Sequence, residues 1–584
     1  MKLIFKYLKP YTLGIIIGTS IKIAGSLVEL ALPYILSHII DDVVPQCRSE
    51  DDIYKIIIWG GIMMLCSILA LVWNIIANRM ASRVARDASR GIRHDLFTAT
   101  MCLSAEATDS FTVPALESRL TSDTYNVHHF LGMIQRLGVR APILLVGGLV
   151  LSFTLDPVLT LIMASVIPFI GITVYIVSKR GVGLYKASQL AGDRMIGIVR
   201  EDSKGIRVIK ALSKKEYEKT RYDMSNTALS QSEKKAQLTM AISSPVINIF
   251  LNMGVVLVLF VGALRVNRDL SEAGKIIAFI SYFTIISNAM LSITRIFVMY
   301  TKGAASAGRI SEIIDCANQQ KSNPYRQNMS VTEDACKHGD EHICFDNVSF
   351  AYDRKNRTLD SISFNLHHGE SLGIIGATGS GKSTIIKLLM GMYSTDEGRI
   401  LIDGRNIKNI REDELHSYFG AAMQNDFLYA GSVEENVKFG RAIDHESVVR
   451  AVQIAQAEEF VEKSDGKYDF NLTSKGTNLS GGQKQRLLIA RAVAANPDIL
   501  ILDDSSSALD YKTDANLRRA IRDKMRGTTM ITVAQRVSSV MSCDKILVID
   551  EGRTVGYGKH DELINNCEIY RQISDSQLGG VLVD

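Results

Sequence analysis

Apolar positions crowd the first half of this 584-residue chain, and polar positions and short motifs crowd the second. Six apolar stretches are long enough, or nearly so, to span a bilayer. They are Leu13–Ile40, Ile53–Ala77, Val139–Leu155, Val158–Val177, Met240–Leu264 and Ile276–Tyr300. The third carries Arg136 and Arg140 at its start, so its inner end belongs to a long extension outside the bilayer. After Tyr300 the chain turns polar and reads as a linker. From about Glu341 short apolar strands alternate with helices, which is the pattern of an α/β domain. The predicted layout is a membrane all-α six-helix domain over 1–320, a linker over 321–340 and an α/β domain over 341–584.

Charge orients the spans. The loop after the first carries Asp41, Asp42, Glu50, Asp51 and Asp52 against Arg48. The stretch after the second carries Arg79, Arg83, Arg86, Arg90 and Arg93, and Lys179 to Lys235 is also basic. Positive residues stay inside, so the amino terminus is expected in the cytoplasm and the 41–52 loop outside. No cleavable signal is evident; Lys2, Lys6 and Lys9 among Leu3, Ile4, Phe5 and Leu8 suit a short amphipathic helix on the inner membrane surface.

Composition adds exclusions. The chain is 47% apolar with mean hydropathy +0.10. A net charge of +4 and the lack of a basic stripe with interleaved aromatics argue against a nucleic-acid binder. The eight cysteines form no disulfide framework, and Cys47 stands alone in a polar stretch. The run "CKHGDEHIC", Cys336 to Cys344 with His338 and His342, matches no common zinc spacing and reads as solvated linker.

Polar residues inside spans need a reason. Lys22 and Glu29 lie seven apart, on one helix face; Asn248 and Asn252 lie four apart; Ser287, Asn288 and Arg295 share the sixth span. They either line a water-filled substrate cavity, with Lys22, Glu29 and Arg295 the better candidates, or hold the helices together.

The strongest signal is "GATGSGKST", Gly376 to Thr384, a full match to G-x-x-x-x-G-K-[ST]. "SLGIIG" reads as the strand before it and "TIIKLLMGMY" as the helix after it. The loop Gly376, Thr378, Gly379, Ser380, Gly381 lets backbone N–H groups approach phosphates at a helix start. Lys382 would reach the β- and γ-phosphates, and Ser383 would hold Mg²⁺ beside Thr384. "DILILD" is an apolar strand ending in Asp503, an acid placed to help hold Mg²⁺. "LSGGQKQR" puts Ser480, Gly481 and Gly482 before an expected helix, "QRLLIARAVAA". A second anion-ready helix start, in a chain that already has a phosphate loop, suggests a surface facing another chain's nucleotide.

On these motifs the chain resembles a half-transporter of the ABC exporter family over nearly its whole length. The resemblance implies that two halves pair head to tail around two ATP molecules with Mg²⁺. Each site would take the phosphate loop of one half and the Ser480, Gly481, Gly482, Gln483 segment of the other. Residue by residue, Tyr352 in "FAYD" matches the aromatic that stacks on adenine. Gln424 in "AAMQND" matches a glutamine that touches Mg²⁺ and senses the membrane domain. Asp510 in "SALD" matches the loop crossing between sites. Without the resemblance the first two read as an ordinary strand tyrosine and a surface loop amide. Ser110–Thr124 and Gly205–Glu216 resemble the two inner coupling loops, the second of which docks on the partner; otherwise both read as solvated helix surface.

Two positions depart from the family, and both concern hydrolysis. The catalytic glutamate is Asp504, and the switch histidine is Gln535. Asp504 would hold its carboxylate roughly 1.5 Å short, and a 1 Å misplacement can cost about a hundredfold in rate. Glutamine can donate a hydrogen bond but cannot carry positive charge as histidine can. The pair resembles the degenerate-site subunit of heterodimeric bacterial multidrug exporters: ATP bound here and cleaved slowly, with a different half supplying the brisk site. The expected cargo is a hydrophobic or amphiphilic compound or a lipid, and the expected place is a bacterial inner membrane. The alternatives are a homodimeric exporter with weak ATPase and an ATP-gated regulator or channel.

Overall fold

The computed structural model describes residues 1–46, 53–321, 341–353, 356–424, 426–505 and 508–578. Cys47, Arg48, Glu50, Asp51, Asp52, Cys336, His338 and nearly all of the expected linker lie outside the described residues. Contacts divide the chain into two units, Met1–Cys102 with Thr112–Ala317, and Leu103–Phe111 with Asn318–Asp584.

The first unit is helical: α1 (Thr12–His38), α2 (Ile53–Met101), α3 (Thr124–Leu155), α4 (Pro157–Ala211), α5 (Lys215–Ala241), α6 (Ser243–Val266) and α7 (Ala273–Lys321). Among the described residues six helical runs, one per predicted span, are long and apolar enough to cross a membrane. They outrun the bilayer. The 55 residues of α4 at about 1.5 Å each reach more than twice the ~30 Å hydrocarbon core. The tight turn into α4 is fixed by Asp156, whose Oδ1 accepts from the N–H groups of Val158 (2.9 Å) and Leu159 (3.3 Å). Pro157, lacking an N–H, takes the first helical position at no cost. The other Asp156 oxygen pairs with Arg265 at the end of α6, at 3.0 Å. Inside the bundle, small residues let helices close up: Ala141, Ala278 and Ala289 pack with Leu30, Leu144 and Tyr282. The buried Tyr282 hydroxyl donates to the Leu30 carbonyl at 2.8 Å. Residues 2–8 form the expected amphipathic helix, with Leu3 and Ile4 buried and the lysines exposed.

Among its described residues the second unit carries nine strands of four residues or more: β1 (Glu341–Phe350), β2 (Leu359–His367), β3 (Ser371–Gly376), β4 (Glu397–Ile402), β5 (Phe419–Ala422), β6 (Ile499–Asp503), β7 (Thr529–Val533), β8 (Lys545–Asp550) and β9 (Arg553–Gly558). One sheet is antiparallel, β2–β1–β4 with a short bridge at Arg405–Asn406. The other has the order β9–β8–β3–β7–β6–β5, parallel except for β9. Its inner strands are covered on both faces, so the strand "ILILD" is apolar up to its final Asp503 and wholly buried. The core between the sheets includes stacked Phe345 and Phe364 with Ile374, Ile385 and Ile501.

The run Cys336–Cys344 is not all linker. His342 and Cys344 lie in β1, a central strand paired on both sides. Ile343, Phe345, Val348 and Phe350 bury their side chains there, and the pairing draws His342 in with them.

Candidate nucleotide site

Four neighbouring parallel strands end at one edge of the sheet, and the residues just beyond each strand end build the site. Register sets Val533 beside both Ile374 and Asp503, and Ala422 beside Leu502. The phosphate loop after β3, Asp504 after β6, Gln535 after β7 and Gln424 after β5 therefore converge. Open α/β sheets bind ligands at this carboxyl edge. A cavity of about 210 Å³ is lined by the loop, Gln424, Asp503, Asp504 and Gln535.

The loop has the geometry its glycines allow. Gly379 and Gly381 have φ of +86° and +98°, which side chains rarely adopt. A Cβ on Gly381 would also meet Leu359 at 2.6 Å. Helix α8 (Lys382–Leu389) starts from Gly381 and aims its first N–H groups at the loop. The Lys382 ammonium rests on the carbonyls of Gly376 (3.0 Å) and Ala377 (2.7 Å), and the buried Ser380 hydroxyl has no partner among the described residues. A cation held only by carbonyls and an unmatched donor are what a phosphate group would satisfy. Burial lowers the Lys382 pKa, partly offset by Asp503 and Asp504.

Ser383 Oγ donates to Asp503 Oδ1 at 3.2 Å, bringing the two expected Mg²⁺ ligands together. Asp503 is 2% exposed. Burial pushes its pKa up against the pull of the Ser383 hydrogen bond. Asp504 has a left-handed backbone, φ +49°, and its N–H donates to the Val533 carbonyl. Its Oδ2 accepts from Gln424 Nε2 at 3.3 Å and from Gln535 Nε2 at 3.1 Å. Burial is also the largest cause of the raised Asp504 pKa, with the Gln424 bond opposing it. Tyr352 stands exposed beside this site, its hydroxyl 3.4 Å from Thr384 Oγ1.

Residues 15–290 match the family described as ABC transporter transmembrane region, and residues 359–507 match the one described as ABC transporter. Over 581 residues the chain is 31% identical to the uncharacterized ABC transporter ATP-binding protein YfiB of Bacillus subtilis, with 99% of each covered. This chain belongs to the ABC transporter family. It is also 29% identical over 593 residues to the ABC transporter ATP-binding protein Rv1273c of Mycobacterium tuberculosis, with 100% of each covered. A bacterial Atm1-family ABC exporter with ATP bound has the same fold, with TM-score 0.81 over 97% of this chain and 98% of that one, at 21% identity. The chain thus fuses an ABC transmembrane region to one ATP-binding domain and is an integral membrane protein.

The remaining ABC transporter motifs fall in defined places. Helix α9 (Gly481–Val493) begins four residues before the expected "QRLLIARAVAA". Ser480 and Gln483 close a reciprocal capping box: Gln483 N–H donates to Ser480 Oγ at 3.3 Å, and Ser480 N–H donates to Gln483 Oε1 at 2.9 Å. A Cβ on Gly482 would meet the Ala508 carbonyl at 3.1 Å, so the segment packs beneath the loop that comes after Asp504. Ser480 and Gly481 are exposed. Asp510 caps α10 (Tyr511–Lys524), accepting from Thr513 N–H and Oγ1 at 2.9 and 2.7 Å.

The segment that packs with the ATP-binding unit is Leu103–Phe111, upstream of most of the expected Ser110–Thr124. Thr112, at φ +63°, breaks the chain direction there, and residues from Thr112 on belong to the membrane unit. The Tyr393 hydroxyl donates to the Asp109 carboxylate, and the Tyr393 ring lies edge-on to Tyr352 at 5.2 Å. Neither Asp109 nor Tyr393 stands in a motif, so only the fold reveals the pair. The turn inside Gly205–Glu216, Leu212–Lys214, is exposed between α4 and α5, with apolar Val208, Leu212 and Tyr217 outward.

In the membrane unit the polar residues divide. Lys22 is buried, and its ammonium donates to Asn74 (2.8 Å) and Asn78 (3.0 Å) of α2, the helix-joining alternative. Glu29 accepts a two-pronged bond from Arg140, at 2.5 and 3.2 Å. That pair lines a cavity of about 100 Å³ with Asn288, Ser292, Leu137 and Leu144. Arg140 was legible as a charge at the head of the third span, but its partner was not. Asn248, Asn252 and Arg295 are exposed and do not line it.

Proposed function

We propose that this chain is one half of an ATP-driven exporter, paired with a different half-transporter, and that its own nucleotide site holds ATP but cleaves it slowly. The observation that carries this reading is the Asp504 carboxylate, tied to the amides of both Gln424 and Gln535. Hydrolysis needs a carboxylate reaching the attacking water. Burial raises the proton affinity of Asp504, so basicity is not what it lacks. What it lacks is reach, because it is a methylene short and hydrogen-bonded away on one oxygen.

Binding keeps its parts. Tyr352 stacks on adenine, and the phosphate loop with Lys382 cradles the phosphates. Ser383, Gln424 and Asp503 would hold Mg²⁺, which neutralises charge on the phosphate oxygens. The exposed start of α9, at Ser480 and Gly481, closes over the partner's ATP, and Asp510 steadies the loop that faces it. The exposed turn at Leu212–Lys214 docks on the partner, its apolar residues covered there. Two ATP molecules close the nucleotide domains, and cleavage at the partner's site resets them. The Glu29–Arg140 pair with Asn288 and Ser292 in a cavity otherwise lined by Leu137, Ala141, Leu144, Ile285 and Ala289 suits a hydrophobic or amphiphilic cargo. The setting is a bacterial inner membrane with the ATP-binding domain in the cytoplasm.

The test is purification of the chain alone and with the product of its neighbouring gene. The reading expects a stable one-to-one complex with ATPase well above either chain alone. A homodimer that transports at full rate would replace it with the homodimeric alternative.

A further inference from the structure

We propose that His342, His368 and Asp403 form a binding site for a zinc-type transition-metal dication, at the end of the sheet opposite the nucleotide. Three separate pieces of chain bring these groups together. His342 lies at the start of β1, His368 in the turn between β2 and β3, and Asp403 in the turn after β4. Each offers one ligand atom, and the three atoms all lie within 4.8 Å of one another. The His368 and Asp403 side chains are already paired, Nε2 to Oδ1 at 2.9 Å. The two imidazoles stack at 3.9 Å between centroids.

His342 distinguishes this cluster from a chance surface group. It is 1% exposed, and among the described residues its Nε2 has no hydrogen-bond partner. Its Nδ1 lies 2.7 Å from Thr529 Oγ1, which also accepts from the Gly369 N–H at 3.0 Å. With the proton on Nδ1 donated to Thr529, Nε2 presents a bare lone pair inside the protein. A ring oriented by one nitrogen and open at the other is the arrangement of metal-bound histidines. Burial lowers the His342 pKa, which keeps the ring neutral and its lone pair free. Asp403 is fixed close by, because its N–H donates to the His342 carbonyl at 2.9 Å. Its φ of +50° beside Gly404 makes the tight turn that holds it there.

Two imidazoles and one carboxylate suit zinc and its neighbours, not Mg²⁺ or Ca²⁺. Stacked rings cannot both face one ion, so binding turns His368 out of the stack, exchanging its bond to Asp403 for one to the metal. Both turn residues are exposed and free to make that rotation. Zinc here takes no part in hydrolysis. His368 precedes the six-residue β3 and the phosphate loop comes after it, a separation of roughly 20 Å at 3.3 Å per residue. The ion instead clamps β1 and β4 of the antiparallel sheet to the turn that enters β3.

The experiment uses the full chain, without a polyhistidine tag, stripped by chelator and kept free of nucleotide. Zn²⁺ is titrated calorimetrically, and Co²⁺ is followed by its visible absorption. One saturable site per chain is expected, with a rise in melting temperature. His368→Ala and Asp403→Asn, on exposed turns, each weaken it by about tenfold or more. His342→Ala is uninformative alone, since a buried position is emptied, and the two turn variants decide the matter. Absence of saturable Zn²⁺ binding overturns the proposal, and so does binding that survives His368→Ala combined with Asp403→Asn.

Discussion

Gln535 donates its side-chain amide to the Asp504 carboxylate, Nε2 to Oδ2 at 3.1 Å. The two positions expected from the resemblance to depart from the ABC pattern are thus in contact with each other. Gln424 reaches the same oxygen, so three residues after three neighbouring strands form one hydrogen-bonded group. Asp504→Glu with Gln535→His restores the reach and a group able to carry charge. In a complex whose partner site is disabled, single-turnover hydrolysis should rise by up to about a hundredfold. No rise, with ATP binding intact, would shift the block to the partner half's counterpart of the Ser480–Gln483 segment.

Asp503 gives a pH prediction. Burial raises its folded pKa above the unfolded value, so the folded state keeps the proton to higher pH. The stability this contributes is full below the unfolded value, about 3.9, and is lost as pH rises through the folded value. Asp503→Asn is exempt from that loss. In chelator-treated, nucleotide-free protein, its melting temperature should pull ahead of the unsubstituted chain as pH rises from about 4 to 7. A lead that shrinks instead would mean that Ser383 and Lys382 favour the carboxylate more than burial disfavours it.

The Tyr393–Asp109 bond joins the short helix Ala105–Phe111 to the ring beside Tyr352. Tyr393→Phe keeps the ring and deletes the donor. A hydrogen bond to a carboxylate is worth about 1.5–3 kcal/mol. Transport should fall about tenfold while ATP affinity stays within about twofold. Asp109→Asn should do much the same, and the double variant should be no worse than either. Additive losses in a transport assay would show that the two residues act separately.

Glu29 and Arg140 are paired inside the membrane unit. Arg140→Met leaves a half-buried carboxylate alone and should cost about 1–3 kcal/mol of stability. Adding Glu29→Met should recover most of it, because two apolar groups replace a pair. The double variant should fold and shift cargo preference toward uncharged compounds, read in a panel of transport assays. Unchanged preference would remove this pair from the cargo site.

Local pattern carried much of this molecule. Apolar length announced the six spans, and the phosphate loop announced itself, because glycine spacing, strand and helix lie within a short stretch. What stayed hidden depends on strand order. The resemblance puts Gln424, Asp504 and Gln535 at one site, but not their hydrogen bonds to each other, since β5, β6 and β7 become neighbours only in the sheet. The start of α9 was missed because two glycines look like loop, although Ser480 and Gln483 together spell a capping box. The burial of His342 was missed because its polar neighbours masked a strand. That Leu103–Phe111 belongs to the ATP-binding unit is not legible because Asp109 stands in no motif.

The most direct test of the slow-site account is the ATPase of this chain purified alone, beside its ATP binding. The account predicts saturable ATP binding with slow turnover, changed little by Asp504→Asn. Brisk ATPase from the chain alone, abolished by Asp504→Asn, would contradict it.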